Sequence, residues 1–346
     1  MAASSKLLVF NYVMDVADPL LSHQHEAVKE LARGFEQVTV ITGHVGEYQS
    51  SPTVIVHSTK WIYGRPISNI ANLLRTAVPI IIRGKYSSVF FHMTDVQAAI
   101  LSPFIWLRRR KQYLWYAHTY KSKYLIFASF WASGILTSTK GSCPVKNSRV
   151  ITIGQAIDAD KFIKRKNTYF EFNKLIHIGR FDKSKNIDIL INEFKQLSAI
   201  YPEITLELIG NTSNSESLSW AQQVVADSQS SVGSNAVVFR KAIKRGEIPG
   251  VLARSDCFFH AYVGSLDKSL IEATMVGIPV VTLNPEYIQI FGRWCHDKPL
   301  TLGSEYLALR SLSQTDLHLE IDRRFKVAND HHSLKNWVKQ LESILK

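Results

Sequence analysis

Short apolar runs alternate with amphipathic stretches along almost the whole chain. Leu7–Val13, Gln37–Thr42, Thr53–Val56, Ser88–His92, Tyr113–Ala117, Gly134–Thr139 and Arg149–Ile153 have strand length and strand composition. Between them, His23–Arg33 places apolar residues at Ala27, Val28, Leu31 and Ala32, a helical spacing, with Ser22 positioned to cap it and Gly34 to stop it. Ile67–Ile82, Val96–Leu107 and Lys123–Ala132 are the other helices expected in this half. A second set begins near Asn173: strands Lys174–Ile178, Thr205–Ile209, Ala236–Phe239, Cys257–Tyr262 and Val280–Leu283, with helices at Ile187–Leu197 and Leu218–Asp227 and a final one at Leu334–Leu345. Strand and helix in alternation almost throughout predict parallel sheets of the α/β class. A chain of 346 residues suffices for two such domains, each with its own core.

Two stretches of the second half carry candidate chemistry. Cys257–Leu283 is strand, polar loop, short helix, strand. Ser265 or Asp267 would cap the helix, Gly277 fits the left-handed position past its end, and Pro279 prevents continuation. A helix start just beyond a strand offers amide donors and a positive dipole end, which suits a phosphate, and Glu272 one turn inside would accept from a ligand hydroxyl. In the other stretch, Leu175–Asn186, an apolar strand ends in Gly179-Arg180 and Lys185 follows five residues after the arginine. An arginine fork and a lysine point charge at a strand end suit a diphosphate. Taken singly, each stretch also fits an ordinary solvated helix start.

Together the two stretches resemble the nucleotide-sugar half of the GT-B glycosyltransferases, in particular the large retaining family 4. The residues that carry the likeness are Gly179-Arg180, Lys185, Glu272-Ala273 and Gly277-Ile278-Pro279-Val280, together with Gly154, Ile157, Asp158 and Phe162 in the loop that closes the first domain of that family. The resemblance implies two Rossmann-like doubly wound domains facing a cleft. It divides the chain into an acceptor-side domain at 1–168, a nucleotide-sugar domain at 169–330, and a crossover helix at 331–346, with a hinge near 163–172. It implies transfer of a sugar from a nucleoside diphosphate to an acceptor hydroxyl, with retention. It assigns donor contacts to Gly179, Arg180, Lys185, Gly264, Ser265, Leu266, Asp267 and Glu272. It makes His118, after the strand YLWYA, the catalytic candidate, with His92 a second histidine at a strand end near the sugar. No metal ion and no cofactor beyond the nucleotide-sugar co-substrate is expected, because Arg180, Lys185 and helix amides would neutralise the diphosphate.

Two features depart from the family pattern. Its acidic signature has a second Glu eight positions before Glu272, and this chain has Gly264 there. The first loop, MDVADPLLS, lacks the family's paired glycines, and Asp15 and Asp18 stand there as acceptor-side or plain turn residues. Two alternatives therefore stay open: a catalytically silent GT-B subunit that binds a nucleotide, and a sugar-nucleotide epimerase on the same scaffold.

Composition adds a bias rather than a class. Hydrophobic residues make up 46% and charged residues 20%, as in globular proteins, and no apolar run is long enough to span a bilayer. The start, MAASSKLLVFNYV, runs straight into a strand without a cleavage-site pattern, so no secretory signal is expected. Cys143, Cys257 and Cys295 lack metal-ligand spacing and read as buried thiols of a cytoplasmic protein. The net charge of +12 lies entirely in residues 1–168, with 21 Lys and Arg against 9 Asp and Glu. Part of it is Arg108-Arg109-Arg110-Lys111, directly after AAILSPFIWL. Cations beside Trp and Phe suit an anionic membrane surface, hence peripheral attachment at the inner face of a membrane; a buried helix with a basic, solvated end is the alternative. No nucleic-acid module is recognisable. The other expected partners are a nucleotide-sugar donor and a saccharide or lipid-linked acceptor from surface polysaccharide or glycolipid synthesis.

Overall fold

The computed structural model describes residues 5–346 other than 19–20, 167–168, 213 and 233–235. In chain order the elements are β1 (Lys6–Met14), α1 (Ser22–Leu31), β2 (Gln37–Val45), β3 (Val54–Ser58), α2 (Pro66–Arg83), β4 (Ser88–His92), α3 (Asp95–Leu107), β5 (Lys111–Trp115), α4 (Lys123–Trp131), β6 (Gly134–Thr137) and β7 (Val150–Thr152). They continue with β8 (Lys174–Ile178), α5 (Ile187–Ile200), β9 (Thr205–Ile209), α6 (Ser215–Val232), β10 (Val237–Arg240), α7 (Ile248–Ala253), β11 (Cys257–His260) and α8 (Lys268–Val276). The chain ends with β12 (Val280–Thr282), α9 (Pro285–Phe291), α10 (Leu302–Ser311), α11 (Gln314–His332) and α12 (Leu334–Leu345).

The chain forms two compact units, Met1–Ala156 with Leu334–Lys346, and Ile157–Ser333. The sequence pattern put the division after residue 168, on a residue outside the described ones; the contacts put it between Ala156 and Ile157. Ile157 and Phe162 are buried in the core of the second unit, so the loop expected to close the first domain packs with the second. Part of the expected hinge, residues 167–168, also lies outside the described residues.

The first unit holds a seven-stranded sheet in the order β3-β2-β1-β4-β5-β6-β7, and the second a five-stranded sheet in the order β10-β9-β8-β11-β12. Every strand pairing is parallel. Both are doubly wound: the chain steps outward from a central strand, then crosses over and steps the other way. The crossovers place topological switch points between β1 and β4 and between β8 and β11, where crevices open beyond the strand ends. The strands are apolar on both faces because helices cover both, as the continuous burial of β4 (SVFFH) and β11 (CFFH) shows. Cys143, Cys257 and Cys295 are buried free thiols.

The C-terminal helix belongs to the first unit. Its Trp337 is fully buried, edge-on to Trp115 at 5.4 Å and to Phe90 at 6.1 Å. Ser88 Oγ donates to the carbonyl of Leu345 at 2.7 Å, tying the last turn to the foot of β4.

Two capping and boundary expectations change, both at α1. Leu21 occupies the cap position of α1, Ser22 is its first residue, and the helix ends at Leu31, before Gly34. Gly277 does sit in the left-handed region, at φ +76, and ends α8. Helices α9, α10 and α11 were not foreseen. In α11 the buried face runs Leu317, Ile321, Arg324, Ala328, and the arginine breaks the apolar period. Arg324 is nonetheless 3% exposed, because its guanidinium lies 3.8 Å from the Trp294 ring and Nε pairs with Glu320 at 2.8 Å.

Candidate functional site

Most of the residues singled out in the second half gather at the switch point between β8 and β11. After Gly179-Arg180, a single turn at Lys183–Lys185 leads into α5 through Asn186, whose φ of 54 is left-handed. Asparagine tolerates that conformation better than most side chains. Asn186 Nδ2 donates to the carbonyl of Ala261 at 3.0 Å, so the turn after β8 is fastened to the end of β11. This brings Lys185 to the loop before α8.

Lys185 is 7% exposed, with Nζ 2.5 Å from Asp267 Oδ2 and 3.7 Å from the centre of the Tyr262 ring. Asp267 Oδ2 also meets His260 Nε2 at 3.1 Å, and His260 Nδ1 meets Thr282 Oγ1 at 3.0 Å. Burial alone would raise the Asp267 carboxyl, but the Lys185 charge and the His260 hydrogen bond outweigh it and hold the group well below the usual carboxylate range. Burial lowers His260, and Lys185 lowers it further, against the opposing pull of Asp267. A neutral imidazole facing an ionised carboxylate carries its proton on Nε2. Thr282 Oγ1, which accepts from the Asn284 amide at 3.0 Å, then donates to Nδ1. The chain Thr282–His260–Asp267–Lys185 is thus satisfied end to end. The lysine's three donors exceed the one that Asp267 occupies.

Asp267 holds the cap position of α8, but its side chain makes no capping bond. Asp267 was one of two residues expected to cap the helix; it is drawn instead to the buried lysine, a charge that needs a partner more than an amide does. The preceding loop is held from beneath by Asn284. Its Nδ2 lies 3.1 Å from the Tyr262 carbonyl, 3.2 Å from that of Gly264 and 3.1 Å from that of Ser265, while Oδ1 accepts from the Tyr287 amide at 3.0 Å. The Ser265 amide donates to the Tyr262 hydroxyl at 3.2 Å, and Ser265 and Leu266 are buried. A Cβ at Gly264 would lie 1.9 Å from the Tyr262 hydroxyl. Glycine is required there for close approach of that phenol.

Gly179 follows β8, its amide donating to the Ile209 carbonyl at 3.0 Å. Arg180 is half exposed, 3.2 Å from Asp182, and lines a pocket of 310 Å³ with Asp182, Lys183, Ser184, Asn214, Glu216 and Ser217. Beyond it, Phe181, Gly210, Leu218 and Phe239 line a larger one of 580 Å³. Glu272 lies apart from the lysine cluster: it is 3% exposed and accepts from Arg245 Nη2 at 2.7 Å. Beneath the site, His177 Nδ1 donates to the Phe259 carbonyl at 2.9 Å, and burial pushes the ring down to about 3.

The two other candidates belong to the first unit. His118 is exposed, three residues beyond β5, and Nδ1 accepts from the Tyr120 amide at 3.0 Å. An N–H donating to Nδ1 leaves the proton on Nε2, so the neutral ring presents an N–H donor. His92, the last residue of β4 at the switch point, is buried between Trp337 at 5.8 Å and His23 at 5.8 Å. Among the described residues no group of three or more His, Cys, Asp or Glu is placed to hold a metal ion.

Sequence reasoning missed Tyr262, His260, Asn284 and Arg245. His260 ends an apolar strand as His92 does, and Asn284 precedes a proline, a helix-start signal. Nothing local distinguishes Tyr262 or Arg245, whose partners lie across the fold.

The family model described as "Glycosyl transferases group 1" matches residues 158–289. No curated protein sequence matches the chain. Among solved structures, HepE from Anabaena in complex with UDP and glucose is similar at a TM-score of 0.73 and 15% identity, over 99% of each chain. Sucrose-phosphate synthase from Thermosynechococcus elongatus is similar at 0.71 and 12%, over 98% of each. A glycosyltransferase from Rickettsia africae is similar at 0.72 and 10%, over 99% of this chain and 98% of that one. Residues 158–289 thus match the glycosyl transferases group 1 model, on a chain whose fold is that of the GT-B glycosyltransferases.

Proposed function

We propose that this protein moves a sugar from a nucleoside-diphosphate sugar to an acceptor hydroxyl, with retention of anomeric configuration, in the manner of family 4. The observation that carries the reading is Lys185, buried yet charged at the β8–β11 switch point and oriented by Asp267, with Arg180 exposed one turn away. Such a lysine has donors to spare for a diphosphate, and the arginine would grip it as a fork. HepE holds UDP and glucose in its crystal, which supports a uridine donor for this chain as the first to try.

In this reading Arg180, Lys185 and the backbone around Ser265 and Leu266 stabilise the departing diphosphate without a metal ion. The acceptor attacks on the leaving-group face, and a phosphate oxygen of the leaving group takes its proton. His118, with its donor on Nε2, hydrogen-bonds the sugar. The acceptor is a saccharide or lipid-linked hydroxyl of a surface polysaccharide or glycolipid.

A second reading, a silent nucleotide-binding subunit, has one observation in its favour. The seat of the family's first Glu is Gly264, and the Tyr262 phenol fills the space its side chain would take. Thermal unfolding with UDP, GDP, ADP and CMP, followed by donor hydrolysis and transfer assays, tests both. The expected result is a stabilising shift with one diphosphate, lost in Arg180→Ala, and turnover with the matching sugar donor. A shift without turnover across donors would replace the enzyme by the silent subunit. No shift with any diphosphate would sink both.

A further inference from the structure

The outer faces of α3 and α4 carry a second surface that the donor site does not use. Phe104, Trp106 and Leu107 at the end of α3, and Phe127 and Phe130 on α4, are exposed; Trp106 keeps 60% of its surface, Leu107 73% and Phe130 71%. Trp131 of α4 links rings of the two helices, lying edge-on to Trp106 at 5.6 Å and 6.3 Å from Phe127. Gln112 on β5 holds the two helices together from below, its Nε2 3.3 Å from the Ser102 carbonyl and 3.1 Å from that of Trp131. At about 200 Å² per ring, the four exposed aromatic residues present on the order of 400 Å². Patches of that size on a single protein mark interaction sites.

The charge around the patch has one sign. From Val96 to Ile157 the chain carries nine Lys and Arg and no Asp or Glu. Arg108 and Arg109 follow α3 directly, with Lys111 beside them, and Lys121 and Lys123 stand at the start of α4, all exposed. Cations past a helix end favour its dipole, but that accounts for those at α3 and not for Lys121 and Lys123, which stand at the start of α4. A second copy of this chain would set the same cations against themselves. A surface that takes aromatic rings at its boundary and offers negative charge fits both features.

We propose that the α3–α4 face docks on an anionic lipid bilayer, the rings entering the headgroup boundary and the arginines and lysines pairing with lipid phosphates. No helix among the described residues is long and apolar enough to cross a membrane, so this contact is peripheral.

Co-sedimentation with vesicles of phosphatidylcholine alone, and of phosphatidylcholine with phosphatidylglycerol, tests it without recourse to activity. The full chain is expected to bind the anionic vesicles, to bind the neutral ones far less, and to release at high salt. Arg108→Gln and Arg109→Gln should each weaken anionic-vesicle affinity by about fivefold. Trp106→Ala with Phe130→Ala should weaken it further, with the far-ultraviolet circular dichroism spectrum unchanged. Equal binding to both vesicles, no binding to either, or variants that bind like the parent would overturn the proposal. So would a concentration-dependent dimer that Trp106→Ala abolishes, since the patch would then belong to a second copy. An acidic protein as the occupant would show as absence of binding to either vesicle. Nucleotide binding is unaffected in every case, so this test and that of the donor site fail independently.

Discussion

Replacing Asp267 by Asn probes whether the Lys185 charge is held by a partner. The carboxylate receives Nζ at 2.5 Å and His260 Nε2 at 3.1 Å, and the lysine side chain is 9% exposed. An asparagine oxygen in the place of Oδ2 still accepts from His260 and Lys185, but leaves the buried ammonium without a counter-charge. Removing one member of a buried ion pair costs about 3–5 kcal/mol. Asp267 keeps 27% of its side-chain surface, so water recovers part of this, and about 2–3 kcal/mol is the expected cost. For a unit of this size that lowers Tm by roughly 4–12 °C. The sign with pH follows from the depressed carboxyl: the pair's stabilisation is complete above the ordinary carboxylate value and disappears as pH falls toward the folded one. The difference between parent and Asp267→Asn should therefore shrink in acid. Removing both charges, as Lys185→Met with Asp267→Asn, should cost less than the two single changes summed, by about 1–3 kcal/mol. Calorimetric unfolding of all four proteins measures this cycle. A Tm for Asp267→Asn within error of the parent, or strict additivity, would refute the pairing argument.

Further outcomes follow from packing and titration. Gly264→Glu should destabilise the loop, because its Cβ meets the Tyr262 hydroxyl at 1.9 Å, and adding Tyr262→Ala should restore Tm in part; equal Tm for both would refute the contact. Trp337→Ala should cost about 3–5 kcal/mol in chemical denaturation, since α12 seats that ring wholly within the first unit's core. Burial holds His177 at about 3 and His332 at about 4, below the ordinary 6.5. Their stabilising contribution is full above 6.5 and is lost as pH falls toward the folded values, by about 1.4 kcal/mol per pH unit each. Denaturant midpoints from pH 7 to 5 should fall accordingly, and less steeply in His332→Asn; a parallel slope would count against its burial as a neutral ring.

The fold class and the residues that gather at the β8–β11 switch point were legible along the chain because both rest on local regularities. Strands such as VFFH and CFFH are apolar throughout only when covered on two faces, and their alternation with amphipathic helices implies parallel order. Gly179-Arg180, Lys185 and Gly277 keep their meaning at fixed spacing, since each answers to the strand end or helix end beside it. Helix α11 was hidden because Arg324, stacked on Trp294, fills a position that the apolar period would have needed. What tertiary structure decided is which charges meet. Asp267 looks like a helix cap until Lys185, 82 residues away, is brought to 2.5 Å, and nothing along the chain shows that Arg245 reaches Glu272. Gly264 looks like a loss until Tyr262 is seen in its place. Pairing energies depend on distance and on the exclusion of water, and neither is set until the two strands at the switch point lie side by side.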